Sequence, residues 1–307
     1  MSPIYRRVAV IGCGLIGSSV LRAARAAGCG ETYVAYDRSP EVRARVAALD
    51  LAEVADTPQA AVRDADLVLI AAPPAAVAAV AGQIADALAP GATLTDVASA
   101  KQAVLEAFAA VAPDGVFAIP GHPVAGTEQS GPDAGFAELF WGRWAILCPL
   151  PRQDAPYLQA VARLSDFWEA MGSQVELMDA RHHDLVLAVT SHLPHLIAYN
   201  IVGTAADLED VTESEVMKFS AGGFRDFTRI AASDPVMWRD VFLLNKDAVL
   251  EILGRFTEDL QALSRAIRWG EADKLEALFT RTRAIRLGIV AAGQESPEPN
   301  FGRNRKP

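Results

Sequence analysis

The chain has 307 residues, 51% hydrophobic and 21% charged, which supplies a substantial core and argues against a disordered or low-complexity chain. Its 28 basic and 38 acidic side chains give a formal net charge of −10. A general nucleic-acid or anionic-membrane binder needs a surplus of Lys and Arg, so the expected partners are small molecules.

The length leaves room for two domains. Cys13, Cys29 and Cys148 are odd in number and lack ligand spacing, which fits a reduced cytoplasmic protein better than a disulfide framework or a zinc site. The opening MSPIYRRVAVIG has too short an apolar run for a signal peptide. Residues 67–85 carry no charge, but Pro73 and Pro74 interrupt them and alanine dominates the remainder, so a strand followed by a helix is expected there and no membrane span.

In chain order, strand patterns fall at residues 8–11, 32–36, 67–71, 93–97 and 116–119, with weaker ones at 144–148 and 174–178. Helical stretches near 15–27, 40–49, 75–88, 101–111 and 156–171 lie between them, the alternation of a parallel sheet with crossover helices. Ser39 and Pro40 supply an N-cap and a first-turn proline, and residues 99–102 have the form of a capping box. After Asp179 long amphipathic patterns take over at 181–208, 214–219, 235–270 and 271–292. The glycine-rich segment SAGGFRDFTRIAASDP lacks periodicity and reads as a loop whose two arginines suit a ligand. The expected division is a nucleotide-binding domain over residues 1–179, a helical domain over 180–293 and a disordered tail over 294–307.

The first strand runs into Gly12-Cys-Gly14-Leu-Ile-Gly17 and then a helix, while Asp37 ends the next strand twenty residues beyond Gly17. Strand, glycine turn and helix together place backbone amides at a pyrophosphate, and the distant carboxylate at an adenosine ribose. The implied fold is α/β, a Rossmann-like doubly wound sheet followed by an all-α domain. Cofactor contacts are expected from Gly12, Gly14, Leu15, Ile16 and Gly17, from Asp37 and Arg38, from Ala72 and Pro73 after the third strand, and from Ser99. Asp37 repels a 2′-phosphate and favours NAD over NADP, although Arg38 beside it is able to pair with that phosphate.

No tyrosine has a lysine four residues on, which excludes the short-chain dehydrogenases. His122, in IPGHPVAGTEQSG, follows the fifth strand, where the carboxyl ends of the strands face the ligand crevice, and suits general acid–base work near a nicotinamide. Ser99 is placed to bond the same substrate hydroxyl or to cap the next helix, and the two roles are compatible. Lys101, the only Lys or Arg from Asp64 through Gly142, either pairs with a nearby carboxylate or meets ligand. His192 and His195 lie on one helix face with Pro194 loosening the ladder between them. They lack a third ligand for a metal and are either pocket residues or an ordinary core or interface pair. His182 and His183 read as surface residues at a helix start. Thr127, Glu128 and Asp226 are structural or bond to the site.

HPVAGTEQSG, the preceding DVASAK, SHLPH and GGFRDFTRIAASDPVMW together resemble the prephenate and arogenate dehydrogenase family of tyrosine biosynthesis, including the cyclohexadienyl dehydrogenases of broad specificity. The resemblance spans about residues 6–290. It implies NAD-dependent oxidative decarboxylation, with hydride passing from ring C4 to the nicotinamide and His122 bonding the C4 hydroxyl, which Ser99 shares. It further implies that Arg229 grips a carboxylate of the dicarboxylate substrate, that Trp238 and His195 line the pocket, and that the protein is a homodimer. Arg225 stands where some relatives have lysine, and Thr127 is counted with the substrate-side residues. A β-hydroxyacid-type dehydrogenase of similar two-domain shape and a non-catalytic NAD sensor are the competing readings. The first lacks its asparagine–lysine helix, and the second has no need of a strand-end histidine.

Overall fold

The computed structural model describes residues 3–127, 129–207 and 222–291. The expected helix at 214–219, Glu128 and the tail at 294–307 lie outside the described residues. The chain forms two compact units, Met1–Leu250 and Glu251–Pro307.

The first unit opens with β1 (Tyr5–Ile11), α1 (Leu15–Ala26), β2 (Gly30–Tyr36), α2 (Pro40–Ala48), β3 (Glu53–Val54), α3 (Pro58–Val62) and β4 (Leu67–Ile70). A 3-10 turn at Pro74–Ala76 leads to α4 (Val77–Ile84), β5 (Thr93–Asp96), α5 (Gln102–Val111) and β6 (Phe117–Ala118). The strands pair in parallel in the order β3-β2-β1-β4-β5-β6. This is the doubly wound order, and its direction reverses between β1 and β4, which opens the ligand crevice at their carboxyl ends. Alternate residues of β1 and β4 serve opposite layers. Val8, Val10, Leu67 and Leu69 join one core cluster, whereas Ala9, Ile11, Val68 and Ile70 join the other. Both faces of these strands are covered, so they read as apolar runs. The two-residue β3, at the sheet's edge, is too short to have left a pattern. Ser39 caps α2 as expected, accepting from the Val42 amide at 3.2 Å, with Pro40 in the first turn.

A second sheet continues from the first through β7 (Gly121–Pro123), β8 (Trp144–Leu147), α6 (Ala155–Ala170) and β9 (Gln174–Leu177). β7 runs antiparallel to β8 with His122 opposite Ile146, and β9 is parallel to β8. His122 therefore sits within a strand of its own. Gly-His-Pro carries no strand signal, and its proline is tolerated because β7 is an edge strand. The following segment folds back onto α1, where a Cβ at Gly135 would collide with Ser18 Oγ and the Phe136 amide donates to Ser19 Oγ at 3.2 Å.

α7 (Ala180–Leu187), a π turn (Ala188–His192) and α8 (Leu193–Asp207) form one continuous helix, followed by α9 (Gly222–Thr228), a 3-10 turn (Arg229–Ala232) and α10 (Pro235–Leu244). The π turn stands just before Pro194, whose missing N–H breaks the regular ladder. By length and composition Ala180–Asp207 is apolar enough to cross a membrane. It buries His183, Asp184 and His192 against the rest of the unit. The expected loop at 220–235 contains helical turns instead. They are too brief to show a period, and Thr228 Oγ1 closes one of them by donating to the Phe224 carbonyl at 2.7 Å. α10 packs against the Pro74–Ala76 turn.

α11 (Lys246–Arg268) and α12 (Ala272–Ala291) follow. Within the second unit they reverse at Gly270 (φ +65°), with the Glu271 amide donating to the Ala266 carbonyl at 2.9 Å. Leu260, Ile267, Trp269, Phe279, Ile285 and Leu287 on this unit are exposed.

The two sheets are joined by a buried ion pair. Lys101 Nζ donates to both oxygens of Asp96 at 2.6 and 2.5 Å and to the Gly121 carbonyl at 2.6 Å. Asp96 also accepts from the Gly121 and Ala98 amides. Burial pushes the Asp96 carboxyl up, but four donated hydrogen bonds hold it as carboxylate. Lys101→Met strands this carboxylate in the core and is expected to remove about 3–5 kcal/mol of unfolding free energy in urea titration. A double variant that also replaces Asp96 by Leu should recover part of that loss.

Candidate active site

Two features of the glycine turn leave no room for side chains. Gly12 has φ +95°, and a Cβ there would lie 2.6 Å from the Ala71 carbonyl oxygen and 2.9 Å from the Ala72 nitrogen, while one at Gly17 would strike the Gly12 carbonyl oxygen. Nothing lies within 4 Å of the corresponding point at Gly14, the N-cap of α1, and no side chain caps that helix. The amides of Leu15, Ile16 and Gly17 are thus left for an anion. Asp37 braces the turn, its carboxylate accepting from the Cys13 amide at 2.8 Å and the Ser39 amide at 2.9 Å with lone pairs to spare. Half-buried Ala72 lies against the turn at Gly12, and Pro73 and Arg38 are exposed. Arg43, which sequence reasoning missed, donates to the Asp37 carbonyl at 2.7 Å and lies over the Tyr36 ring at 5.5 Å. An open helix end, a Cβ-free cradle and a braced carboxylate fit a dinucleotide.

His122 projects from β7 with 8% of its surface exposed. Its Nδ1 lies 2.8 Å from His183 Nε2, and His183 Nδ1 lies 2.9 Å from Asp184 Oδ1. Burial lowers His122 well below the usual histidine range, and the fields of His183, Lys101 and His192 act in the same direction. His183 is also lowered by burial, against the raising pull of Asp184. Both rings are neutral near neutral pH.

His183 is fully buried, which corrects its reading as a surface residue, while His182 is exposed. The buried stripe of α7 includes Ala180, His183, Asp184 and Leu187, so the imidazole points inward at i+3. The capping box expected at 99–102 is replaced by a long-range cap. The α5 N-cap is Lys101, with no cap from its own side chain, and Asp184 accepts from the Lys101 and Gln102 amides at 2.7 and 3.0 Å. Half-buried Ser99 stays in the loop between β5 and α5. Of the two roles open to Lys101, the ion pair with Asp96 is the one its amine fills.

On the other flank, His195 stacks on Trp238 with ring centroids 3.6 Å apart and donates Nδ1–H to the Ser191 carbonyl at 2.8 Å. Burial lowers His195, and the charge of Arg229 lowers it further. Asn245, at the break between α10 and α11, donates to the Asp184 carbonyl at 2.8 Å and meets His192 Nδ1 at 3.0 Å. With Nδ1 accepting, His192 carries its proton on Nε2. That atom and Trp238 Nε1 are buried donors with no partner among the described residues. Burial pushes His192 down to about 4. Arg225 and Arg229, on α9 and the turn after it, are exposed, as is Asp226, and half-buried Thr127 accepts from the Gln129 amide at 3.3 Å. The structure therefore brings His122, His183, Asp184, Asn245 and His192 into one hydrogen-bonded chain, beside the stack of His195 on Trp238. Among the described residues, Ser99, Thr127 and Arg225 make no direct hydrogen bond to that chain.

The sequence model described as the nucleotide-binding domain of prephenate dehydrogenase matches residues 20–177, and that described as its dimerization domain matches residues 179–281. A cyclohexadienyl dehydrogenase of Zymomonas mobilis is 43% identical over 93% of this chain and 97% of its own. A prephenate dehydrogenase of Bacillus subtilis is 32% identical over 94% of this chain and 77% of its own. The crystal structure of a prephenate dehydrogenase from Aquifex aeolicus, in complex with hydroxyphenyl propionate and NAD+, superimposes with a TM-score of 0.85 at 30% identity, covering 92% of this chain and 98% of that one. Replacing Asp37 by Ser should weaken NAD by about tenfold or more, as loss of a charged hydrogen bond does, with a smaller effect on NADP in the same steady-state assay.

Proposed function

The chain belongs to the prephenate dehydrogenase family, and on that premise we propose that it decarboxylates prephenate, arogenate or both oxidatively, with His122 as the acid–base residue. It is an NAD-dependent oxidoreductase of tyrosine biosynthesis. The observation that carries the assignment of His122 is a buried, neutral imidazole beside the carboxyl edge of a dinucleotide-binding sheet, linked to a cluster of N–H donors suited to a carboxylate.

NAD, held by Gly12, Gly14, Leu15, Ile16 and Gly17 with Asp37, Arg38, Ala72 and Pro73 around it, supplies the hydride acceptor. His122 accepts the C4 hydroxyl proton at Nε2 as that carbon is oxidised, and Ser99 shares the hydroxyl. Removing hydride and carbon dioxide from the prephenate dianion leaves the 4-hydroxyphenylpyruvate monoanion, so the reaction releases no net proton. The proton that His122 takes therefore returns to the same oxygen when the ring becomes aromatic. What the protein contributes is position and a brief proton store.

Arg229 grips a substrate carboxylate through its planar fork, and the unpartnered N–H groups of His192 and Trp238 are further donors to it. His195, Arg225 and Thr127 complete the substrate side. The helical region 180–293 serves substrate binding and dimerisation. Support for a homodimer comes from the dimerization-domain match and from the exposed Ile267, Trp269, Phe279 and Ile285 of the second unit.

The reaction is tested by following NADH absorbance with NAD and either prephenate or arogenate. His122→Asn should lower kcat by about 10²–10⁴ with NAD affinity retained, and near-normal turnover would remove His122 from the chemistry. The pH profile gives a second test. A histidine whose pKa is lowered keeps its lone pair as pH falls through the ordinary value of 6.5, so kcat/KM should stay level there and break only at more acid pH. A break above 6.5 would contradict the buried, neutral base.

A further inference from the structure

Asp184 has both oxygens occupied by backbone amides, Lys101 N on Oδ1 and Gln102 N on Oδ2, so it presents only lone pairs to its neighbours. The His183 Nδ1 that lies 2.9 Å from Oδ1 must then carry a hydrogen. A neutral His183 has its lone pair on Nε2, and the atom facing it at 2.8 Å is Nδ1 of His122. That contact is a hydrogen bond only if His122 supplies the proton. His122 Nδ1 is therefore protonated, and its lone pair is confined to Nε2. The chain admits the opposite polarity only with a charged His183, which burial disfavours.

We propose that His183 and Asp184 are positioning residues for this reaction: through the chain Asp184–His183–His122 they fix the base in its Nδ1–H tautomer, with the proton-accepting lone pair on Nε2. The assignment rests on the reading of His122 as the acid–base residue. Neither His183 nor Asp184 touches substrate. When Nε2 accepts the hydroxyl proton, an O–H bond breaks and an N–H bond forms. The resulting imidazolium still donates Nδ1–H to His183, whose own Nδ1–H remains on Asp184. The positive charge is met by a carboxylate one ring away, and both bonds persist when the proton goes back.

The geometry also explains why a histidine is needed between the two. Asp184 is already fixed at the N-terminus of α5, with Cys148, Ala180 and Leu187 in the small core where α5 and α7 meet. A rigid ring with an N–H on one side and a lone pair on the other spans the remaining distance without a flexible side chain. A residue that accepts but has no ring, such as Gln, keeps the bond to His122 and loses part of the alignment. An apolar residue of similar bulk loses both.

The experiment uses the full-length enzyme with His183→Leu and His183→Gln, 15N-histidine NMR of the rings, and steady-state kinetics. The His122 signal is assigned by its disappearance in His122→Asn. Wild type should show His122 protonated on Nδ1 and bare on Nε2, and His183→Leu should give mixed tautomers. In kinetics His183→Leu should lose about a hundredfold in kcat with KM for prephenate within about threefold, and His183→Gln should recover most of that loss. A wild-type spectrum with His122 protonated on Nε2 overturns the proposal by itself, even if His183→Leu does not fold. Wild-type kcat in His183→Leu overturns it equally. Failure of the wild-type enzyme to turn over prephenate or arogenate would instead sink the reaction assigned above, and the ring spectrum would still decide the tautomer.

Discussion

The carboxylate of Asp184 accepts two amides at the open end of α5 and the ring N–H of His183, and most of the site hangs from that arrangement. A negative charge at a helix N-terminus is favourable in its own right, and here it replaces the side-chain cap that α5 lacks. The same residue's backbone carbonyl takes the Asn245 amide, which in turn meets His192. One residue on α7 thus binds the first turn of a sheet-covering helix and the junction of α10 with α11 directly, and reaches His122 on β7 through His183. A shift of α7 relative to the sheet would have to break bonds to all three. Buried polar networks hold position well only when every member is satisfied. In this one, among the described residues, His192 Nε2 is a fully buried atom without a partner.

Charge is distributed to the same end. The protein is acidic overall, yet its ligands are a pyrophosphate and a dicarboxylate. Lys101 is the only permanent cation between Asp64 and Gly142, and it is consumed by Asp96 and the Gly121 carbonyl. No positive side chain is left in that stretch for a ligand. On the proposed reading the pyrophosphate is left to the amides of α1, and the carboxylates to Arg229 and the neutral N–H groups of His192 and Trp238. Apart from Arg229 such a site is built from dipoles and neutral rings, and those donors act only at hydrogen-bond range.

Legibility in the sequence followed the separation of the interacting groups. Gly12, Gly14, Gly17 and Asp37 are readable because a turn and the next strand end carry the whole device. The strand identity of His122 was hidden in three residues that carry no pattern of their own, although its place beside the sheet's carboxyl edge was not. His183 and Asp184 were missed because their partners lie 61 and 83 residues away. A signal was nevertheless present. Ala180, His183, Asp184 and Leu187 occupy one helical stripe, and an acid beside an imidazole on an otherwise apolar stripe has to be satisfied from another element. The box at 99–102 misled for the converse reason: its local pattern was adequate, and a stronger distant acceptor took its place.

The interposed ring also resolves a conflict in what the base has to do. On the proposed mechanism the proton on the C4 hydroxyl leaves and later returns to the same oxygen, so His122 has to be empty at rest and able to hold a proton briefly. Burial alone would secure the first condition and defeat the second, since an isolated imidazolium in a dry site is costly. A carboxylate bonded directly to His122 would do the reverse, raising its pKa and leaving it charged before substrate arrives. With His183 between them, the carboxylate's pull reaches His122 through a neutral, polarisable ring. The resting base stays unprotonated, while a path of two directed hydrogen bonds is already in place when charge develops on it. Such preorganisation requires no rearrangement at the moment of proton transfer.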